Sequence, residues 1–387
     1  MNKYIPYGRH EINNEDIDAV VNVLKSDFLT QGKEVEKFEM AVKKKLSVKE
    51  AVATNSATSA LHIACLALDL KVGDFLWTSP VTFVASANCA LYCGAGIDFV
   101  DIELRTGLIN CDKLEEKLKA AEGSNNLPKI LMVVHLAGAS CDMKRIHELS
   151  KKYGFGVIED ASHALGGKYK NKYIGNCEYS NICIFSFHPV KIITSGEGGM
   201  ATTQDRRIAE KMRMLRSHGI YKSRNAKEIQ EKGLWHYEQI MLGYNYRMND
   251  IEAALGQSQL KRLDQYVEKR QKVRSFYEEN LKGCKYKLTK IPKECKSALH
   301  LVVIQLPEEM QHAYKQIFAR LRLKGIGVQL HYIPVHLHPY YKDLGFKSGD
   351  YPEAESYAQR SISIPIYPTL KASDLEVTVK ILCSEIY

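Results

Sequence analysis

Between residues 51 and 205 the chain alternates short apolar runs with stretches whose apolar residues recur at helical spacing. AVAT is followed by a helical pattern in SATSALHIACLAL. Then come FLWTSP, GIDFVDI and ILMVVHLAG, a second helical pattern in MKRIHELSKKYG, and the runs FGVIEDAS, NICIFSFH and GMATTQ. Short, nearly all-apolar strands separated by helices bury both of their faces when they form a mostly parallel sheet wrapped by those helices, so the expected class is α/β.

Ahead of this core lies a polar, proline-containing arm at 1–13. Two amphipathic helices follow, marked by Ile17, Val20, Val21 and Leu24 and by Val35, Phe38, Val42 and Leu46. After residue 205 the pattern changes, and IAEKMRMLRSHG and DIEAALGQSQLKRLDQYVEKRQKVRSFYEENL read as helices around a polar loop at 221–240. LHLVVIQL, YKQIFARLRLKG, GVQLHYIP and a closing helix near 373–386 then mix strands with helices, the pattern of an α+β unit. The expected organisation is an N-terminal arm at 1–13, a large domain at 14–260 and a small domain at 261–387.

The charge balance is 54 Lys+Arg against 45 Asp+Glu, a net +9 that suits phosphorylated ligands but is too diffuse to demand nucleic acid. The most basic stretch, 261–290, holds ten Lys/Arg and four Asp/Glu at the spacing of an amphipathic helix with a solvated face. The ten cysteines form no CxxC pair, so reduced thiols are expected. No apolar run approaches the ~20 residues that cross a bilayer, and the opening MNKYIPYGRHEINNEDID lacks the apolar stretch of an export signal. A cytoplasmic protein without membrane contact is expected.

In open α/β sheets ligands sit beyond the carboxyl ends of the strands, so the polar residues that end each apolar run are the first candidates. Ser56, Ala57, Thr58 and Ser59 start a helix whose free N–H groups can bind a phosphate, though Ser and Thr there also serve as plain caps. Asp160 ends FGVIED, where a carboxylate can cap the next turn or hold a proton on a cofactor's ring nitrogen. Lys191 leaves an apolar strand before SGEGG; most lysines are solvated, but one at this position opposite an aspartate and a phosphate site is what Schiff-base chemistry requires. Asn245 and Arg247 in GYNYRMNDIEAALG precede a helix, either as an ordinary loop or as an anion contact, including one on a neighbouring subunit.

Taken in order, these segments resemble the aspartate-aminotransferase-fold sugar aminotransferases of the DegT/DnrJ/EryC1/StrS type. The resemblance spans nearly the whole chain and is carried by IPYGRHEIN, LTQGKEVEKFE, TNSATSALHIA, SPVTFVASANCAL, VVHLAGASCDM, VIEDASHALGGKY, IFSFHPVKIITSGEGG, MLRSHG and GYNYRMNDIEAALGQSQLKRLD. It implies a fold-type-I large domain with a smaller C-terminal domain, and pyridoxal 5′-phosphate (PLP) as cofactor. Lys191 would then be the Schiff-base lysine and acid/base, Asp160 the partner of the pyridine nitrogen, His163 a neighbour of the phenolic oxygen and Phe83 a stacking ring. Ala57, Thr58 and Ser186 would hold the phosphate, with Asn245 reaching it from the partner subunit of a homodimer. Tyr7, Arg247, His300, His331 and Tyr332 match positions where this family gathers polar groups near a nucleotide sugar.

Within the family, SATSAL, EDASHALG, FSFHPVK, RSHGI and GIGVQLHY are most similar to members that aminate C4 of a UDP-linked 4-keto-6-deoxy-N-acetyl-hexosamine on the route to pseudaminic acid. That likeness implies ping-pong transfer from L-glutamate. The chain departs from those members at Ile192 after the lysine and at His300-Leu301-Val302. The competing readings are a C3 aminase, a dTDP- or GDP-linked acceptor, and an inactive regulatory protein on the same fold. A zinc site at His331, His336 and His338 is a remote reading, since no acidic or cysteine partner stands at ligand spacing.

Overall fold

The computed structural model describes residues 4–124, 126–222 and 226–386. Its centre is a seven-stranded sheet: β1 (Glu50–Thr54), β2 (Phe75–Thr78), β3 (Gly96–Phe99), β4 (Ile130–Val134), β5 (Gly156–Asp160), β6 (Ile182–Ser186) and β7 (Gly199–Thr203). The spatial order is β1-β7-β6-β5-β4-β2-β3, with β7 antiparallel to both neighbours and the other pairs parallel. All strands but β7 therefore end on the same edge.

The two-residue period of the strands assigns each side chain to a face. Val52, Ile130, Met132, Ile158 and Ile184 share one core with Ala60, Leu61 and Ala64, while Ala51, Ala53, Cys183 and Phe185 pack on the opposite face with Phe38, Val42 and Leu46. Helices α1 (Asn14–Leu24), α2 (Glu34–Leu46), α3 (Ala57–Ala67) and α4 (Ala85–Tyr92) supply part of that cover. The apolar stripe of α2 is buried as its spacing requires. In α1, Val23 is buried but Ile17 and Leu24 remain exposed.

Helices α5 (Asp250–Leu260) and α6 (Leu263–Asn280) lead to a second, antiparallel sheet of β8 (Lys287–Leu288), β9 (Val302–Gln305) and β10 (Ser361–Ile364). Val273 and Tyr277 of α6 and Leu375 and Leu382 of α7 (Ala372–Glu385) join Val302, Ile304, Ile362 and Ile364 in its core. The amphipathic helix expected within 261–290 forms over Leu263–Asn280, but two of its basic residues lie off the solvated face. Arg270 is fully buried and donates through Nη1 to the carbonyls of Leu299, His300 and Ile366, and Arg274 is buried as well.

Two further segments differ from expectation. The N-terminal arm is stitched in by backbone bonds, Ile5 N–H to Gly325 O at 2.8 Å and Gly327 N–H to Ile5 O at 2.7 Å, and Ile5 is buried. An extended segment next to an open backbone edge gains pairing that its polar composition does not advertise. The 221–240 stretch carries a short helix, Ala226–Lys232, and Ile220–Tyr221 pairs antiparallel with Glu238–Gln239. Residues 223–225 of that stretch lie outside the described residues. No helix among the described residues is long and apolar enough to cross a membrane. All ten cysteines are unbridged thiols.

Candidate active site

Beyond the shared carboxyl edge of β1, β4, β5 and β6 lies a cavity of about 360 Å³. Three parts of its wall carry different chemistry.

The first is the start of α3. Ser56 caps the helix by accepting the Ser59 N–H at 3.1 Å. The N–H groups of Ala57 and Thr58 have no intrahelical acceptor, because the first four donors of any helix lack one, and both residues line the cavity. No acidic residue stands in this first turn, so the positive end of the helix dipole is uncompensated. Ser186, at the end of β6 opposite Gly199, also lines the cavity. A Cβ on Gly199 would lie 2.4 Å from Ser56 O and 2.6 Å from Ala57 N, so only glycine lets β7 pass this close to the helix start.

The second part is a carboxylate and an amine. Asp160, buried at the end of β5, accepts the Ser86 hydroxyl at 2.6 Å on Oδ2 and the Ser162 N–H at 3.0 Å on Oδ1. Ser86 is in turn 2.7 Å from Thr82 Oγ1. Lys191 enters the same cavity from a turn closed by its N–H to His188 O at 2.9 Å. Burial draws its ammonium down to about 8, and the charge of Asp160 opposes that shift.

The third part is aromatic. His163, His300, His331, Tyr332, Tyr7 and Phe83 all reach the cavity. His163 accepts the Ala137 N–H on Nδ1 at 3.3 Å and meets Tyr332 Oη with Nε2 at 3.0 Å. Its ring lies 4.4 Å from that of His300. Burial, with Lys191 and His331 nearby, holds His163 well below the usual imidazole range, and burial and Lys191 bring His331 to about 3. Tyr7 reaches His331 across 5.3 Å because the arm is pinned, its carbonyl accepting the Ile366 N–H at 2.9 Å. Phe83 is more than half exposed, an uncovered ring beside a polar pocket, 6.1 Å from Tyr332.

Asn245 and Arg247 are not brought to this cavity within one chain. Asn245 is exposed between Tyr244 and Tyr246, whose rings stack at 4.9 Å, and its backbone bridges Ser217. Arg247 is half-buried, with an Nε that finds no partner. Among the described residues no group of three or more His, Cys, Asp or Glu could hold a metal ion, and His336 pairs with Glu355 at 3.0 Å. Sequence reasoning passed over Thr82, Ser86, His188 and Glu197, which line the cavity or orient Asp160. The position of both hydroxyls in SPVTFVAS, the segment after the FLWT run, was the available signal.

These features form a cradle for a phosphate, a carboxylate that can hold a ring-nitrogen proton, and a buried amine. PLP needs those three groups, and the donor set fits it.

The model of the DegT/DnrJ/EryC1/StrS aminotransferase family matches residues 10–382. A Campylobacter jejuni UDP-4-amino-4,6-dideoxy-N-acetyl-beta-L-altrosamine transaminase is 41% identical over 371 residues, which is 96% of this chain and 94% of the relative. Helicobacter pylori PseC, an aminotransferase involved in the biosynthesis of pseudoaminic acid, superposes with a TM-score of 0.91 at 32% identity, covering 99% of each chain. The PLP-form structure of Spr1654 from Streptococcus pneumoniae, assigned as a sugar aminotransferase, gives a TM-score of 0.89 at 26% identity over 99% of this chain and 98% of that one. The architecture is the fold-type-I arrangement of PLP aminotransferases.

Proposed function

This chain belongs to the DegT/DnrJ/EryC1/StrS aminotransferase family, whose members use PLP, and on that premise we propose that it moves the amino group of L-glutamate to the C4 keto carbon of a UDP-linked 4-keto-6-deoxy-N-acetyl-hexosamine. The observation that carries the reading is the joint placement of Lys191, Asp160 and the α3 start around one cavity. The 41% likeness to the Campylobacter transaminase supports the nucleotide-sugar acceptor.

Bound PLP supplies the electron sink that makes a carbon-bound proton acidic and carries nitrogen between the two substrates. The chain's own residues do the rest. Ala57 and Thr58 N–H groups and the Ser186 hydroxyl hold the phosphate. Asp160, locked by Ser86 and Ser162, keeps the ring nitrogen protonated, and Phe83 covers a ring face. Lys191 is the amine that would hold the cofactor and the group that would take and return the proton at the donor's Cα. Its ammonium, drawn to about 8, lies within reach of neutral pH in both directions. Tyr7, His300 and His331 offer polar groups to the sugar.

The working unit of this reading is a homodimer in the cytoplasm, with Asn245 and Arg247 serving the partner's cavity. Exposed apolar residues at Leu234, Trp235 and Leu242 beside the GYNYR segment, and at Phe28 and Leu29, support it: patches of this kind mark association surfaces. The test is the visible absorbance of the purified protein before and after L-glutamate, with Lys191→Ala alongside, followed by mass analysis of UDP-linked keto sugars added next. A yellow protein that bleaches with glutamate and aminates the 4-keto sugar is the expected result. Amination at C3, or of dTDP- or GDP-linked sugars instead, would move the assignment within the family. A colourless protein that binds no PLP would leave a regulatory role.

A further inference from the structure

We propose that Cys284 and Cys383 form a reversible dithiol/disulfide site, at which the small domain is cross-linked when a disulfide oxidant such as oxidised glutathione reaches it. The pair stands outside the catalytic cavity and owes nothing to the chemistry there.

The two sulfurs belong to elements far apart in the chain and close in space. Cys284 lies in the turn between α6 and β8, Cys383 lies in the last turn of α7, and their Sγ atoms stand 3.6 Å apart. One thiol donates to the other at that distance, so the side chains already point at each other. A disulfide bond needs the sulfurs about 1.5 Å closer. The turn can supply that movement, because Gly283 holds a φ of +86° with open space where a side chain would stand. Both cysteines are partly exposed, and Cys284 lines an open cavity of about 290 Å³ with Lys282 and Lys287. These lysines and Lys285 are exposed around the thiol, a positive rim that draws an anionic oxidant such as glutathione disulfide, whose carboxylates outnumber its amines.

The exchange balances with that oxidant alone. The Cys284 thiolate attacks one sulfur of the oxidant, forming a mixed disulfide and expelling one glutathione thiolate; the Cys383 thiolate then attacks the Cys284 sulfur and expels the second. The protein gives up two electrons and two protons, and the oxidant leaves as two molecules of glutathione. Burial and its partner thiol hold the Cys383 thiol above its ordinary range, so Cys284, which faces the cavity, makes the first attack. Cys93 also has a thiol neighbour, but that neighbour, Cys65, is wholly buried in the core of the large domain, where closing a bond would require packed side chains to move. The span closed by a bond from 284 to 383 contains β9 and β10, and His331 is held to β10 by Nδ1 at 2.8 Å from Ser363 Oγ. A cross-link over so long a loop restricts the unfolded chain most, so oxidation stabilises the domain that presents His300 and His331 to the cavity.

The purified full-length protein is incubated with oxidised glutathione, alkylated under denaturing conditions and mapped by mass spectrometry without reduction, beside Cys284→Ser and Cys383→Ser. The wild type is expected to lose two of its ten titratable thiols and the mass of two hydrogen atoms, with one cross-link joining the peptides of Cys284 and Cys383. Its melting temperature should rise by several degrees, and dithiothreitol should reverse both changes. Cys383→Ser should stop with glutathione retained on Cys284, and neither variant should melt later after oxidation. The wild-type peptide map stands whether or not a variant folds. A dominant cross-link between Cys65 and Cys93, glutathione left on Cys284 of the wild type, or no loss of thiols would each overturn the site, and a Cys284 to Cys383 bond that leaves the melting temperature unchanged would overturn its stabilising role.

Discussion

Ser86 Oγ stands 2.6 Å from Oδ2 of Asp160 and 2.7 Å from Thr82 Oγ1, so a hydroxyl in the first turn of α4 and one in the bend before it form a directed chain into a buried carboxylate. An ionised carboxylate only accepts, which makes Ser86 its donor and Thr82 the donor to Ser86. Replacing Ser86 by alanine leaves Asp160 charged but unlocked. A hydrogen bond to a charged group is worth ~1.5–3 kcal/mol, so Ser86→Ala should weaken PLP binding by about tenfold or more with little change in fold. Fluorescence titration of the cofactor-free protein checks this.

Lys191 gives a pH-dependent prediction. Its folded-state pKa, about 8, lies below the ordinary lysine value of 10.5, so between these values the unfolded chain binds more protons than the folded one. Stability of the cofactor-free protein must then rise with pH across that window, and below it the buried ammonium is a standing cost. Lys191→Met should stabilise the cofactor-free protein at pH 7 by on the order of 1–3 kcal/mol, with the gain shrinking as pH approaches 10. Urea unfolding of both proteins at pH 7 and pH 9.5 measures the difference, and a gain that does not shrink would count against burial as its cause.

Gly199 is placed where a methyl group would strike the backbone of Ser56 and Ala57. Gly199→Ala should therefore cost about 2–3 kcal/mol, the range of overpacking against unyielding atoms, and it should act on the phosphate cradle in particular. Affinity for pyridoxamine 5′-phosphate is expected to fall more than affinity for unphosphorylated pyridoxamine. Equal losses would mean that the helix start does not hold the phosphate.

Asn245 is exposed and does not line its own chain's cavity, so its contribution is testable by complementation. Lys191→Ala and Asn245→Ala homodimers should each be impaired. Mixed dimers made from the two should recover about half of the wild-type activity, since a two-fold assembly then has one intact composite site and one doubly damaged site. No recovery in verified mixed dimers would restrict Asn245 to its own subunit.

The alternating pattern of short strands and helices was enough to specify the sheet, because side-chain periodicity reports directly on which face is buried. Ile130 and Met132 fall in one core, and Leu131 and Val133 in the one opposite. Lys191, Asp160 and the Ser56–Thr58 helix start were legible for a related reason: each stands at or shortly beyond the carboxyl end of a strand, and those ends share one edge of the sheet. The direction of β7 was not legible from its composition, since GMATT suits either orientation.

What the tertiary structure alone decided is pairing over distance. Nothing local to the IPY segment says that Ile5 will pair with residues 325–327 and so deliver Tyr7 to His331. Nor does the run of arginines in α6 say that Arg270 will be buried against the carbonyls of Leu299, His300 and Ile366. Hydrogen-bond polarity is the clearest case. From sequence His163 is one imidazole with two equivalent choices of proton, and the single backbone N–H of Ala137, 26 residues away, makes the choice. Residue types and strand ends are properties of the chain read in order; which donor meets which acceptor depends on how the chain folds back on itself, because a hydrogen bond has a direction that composition does not carry.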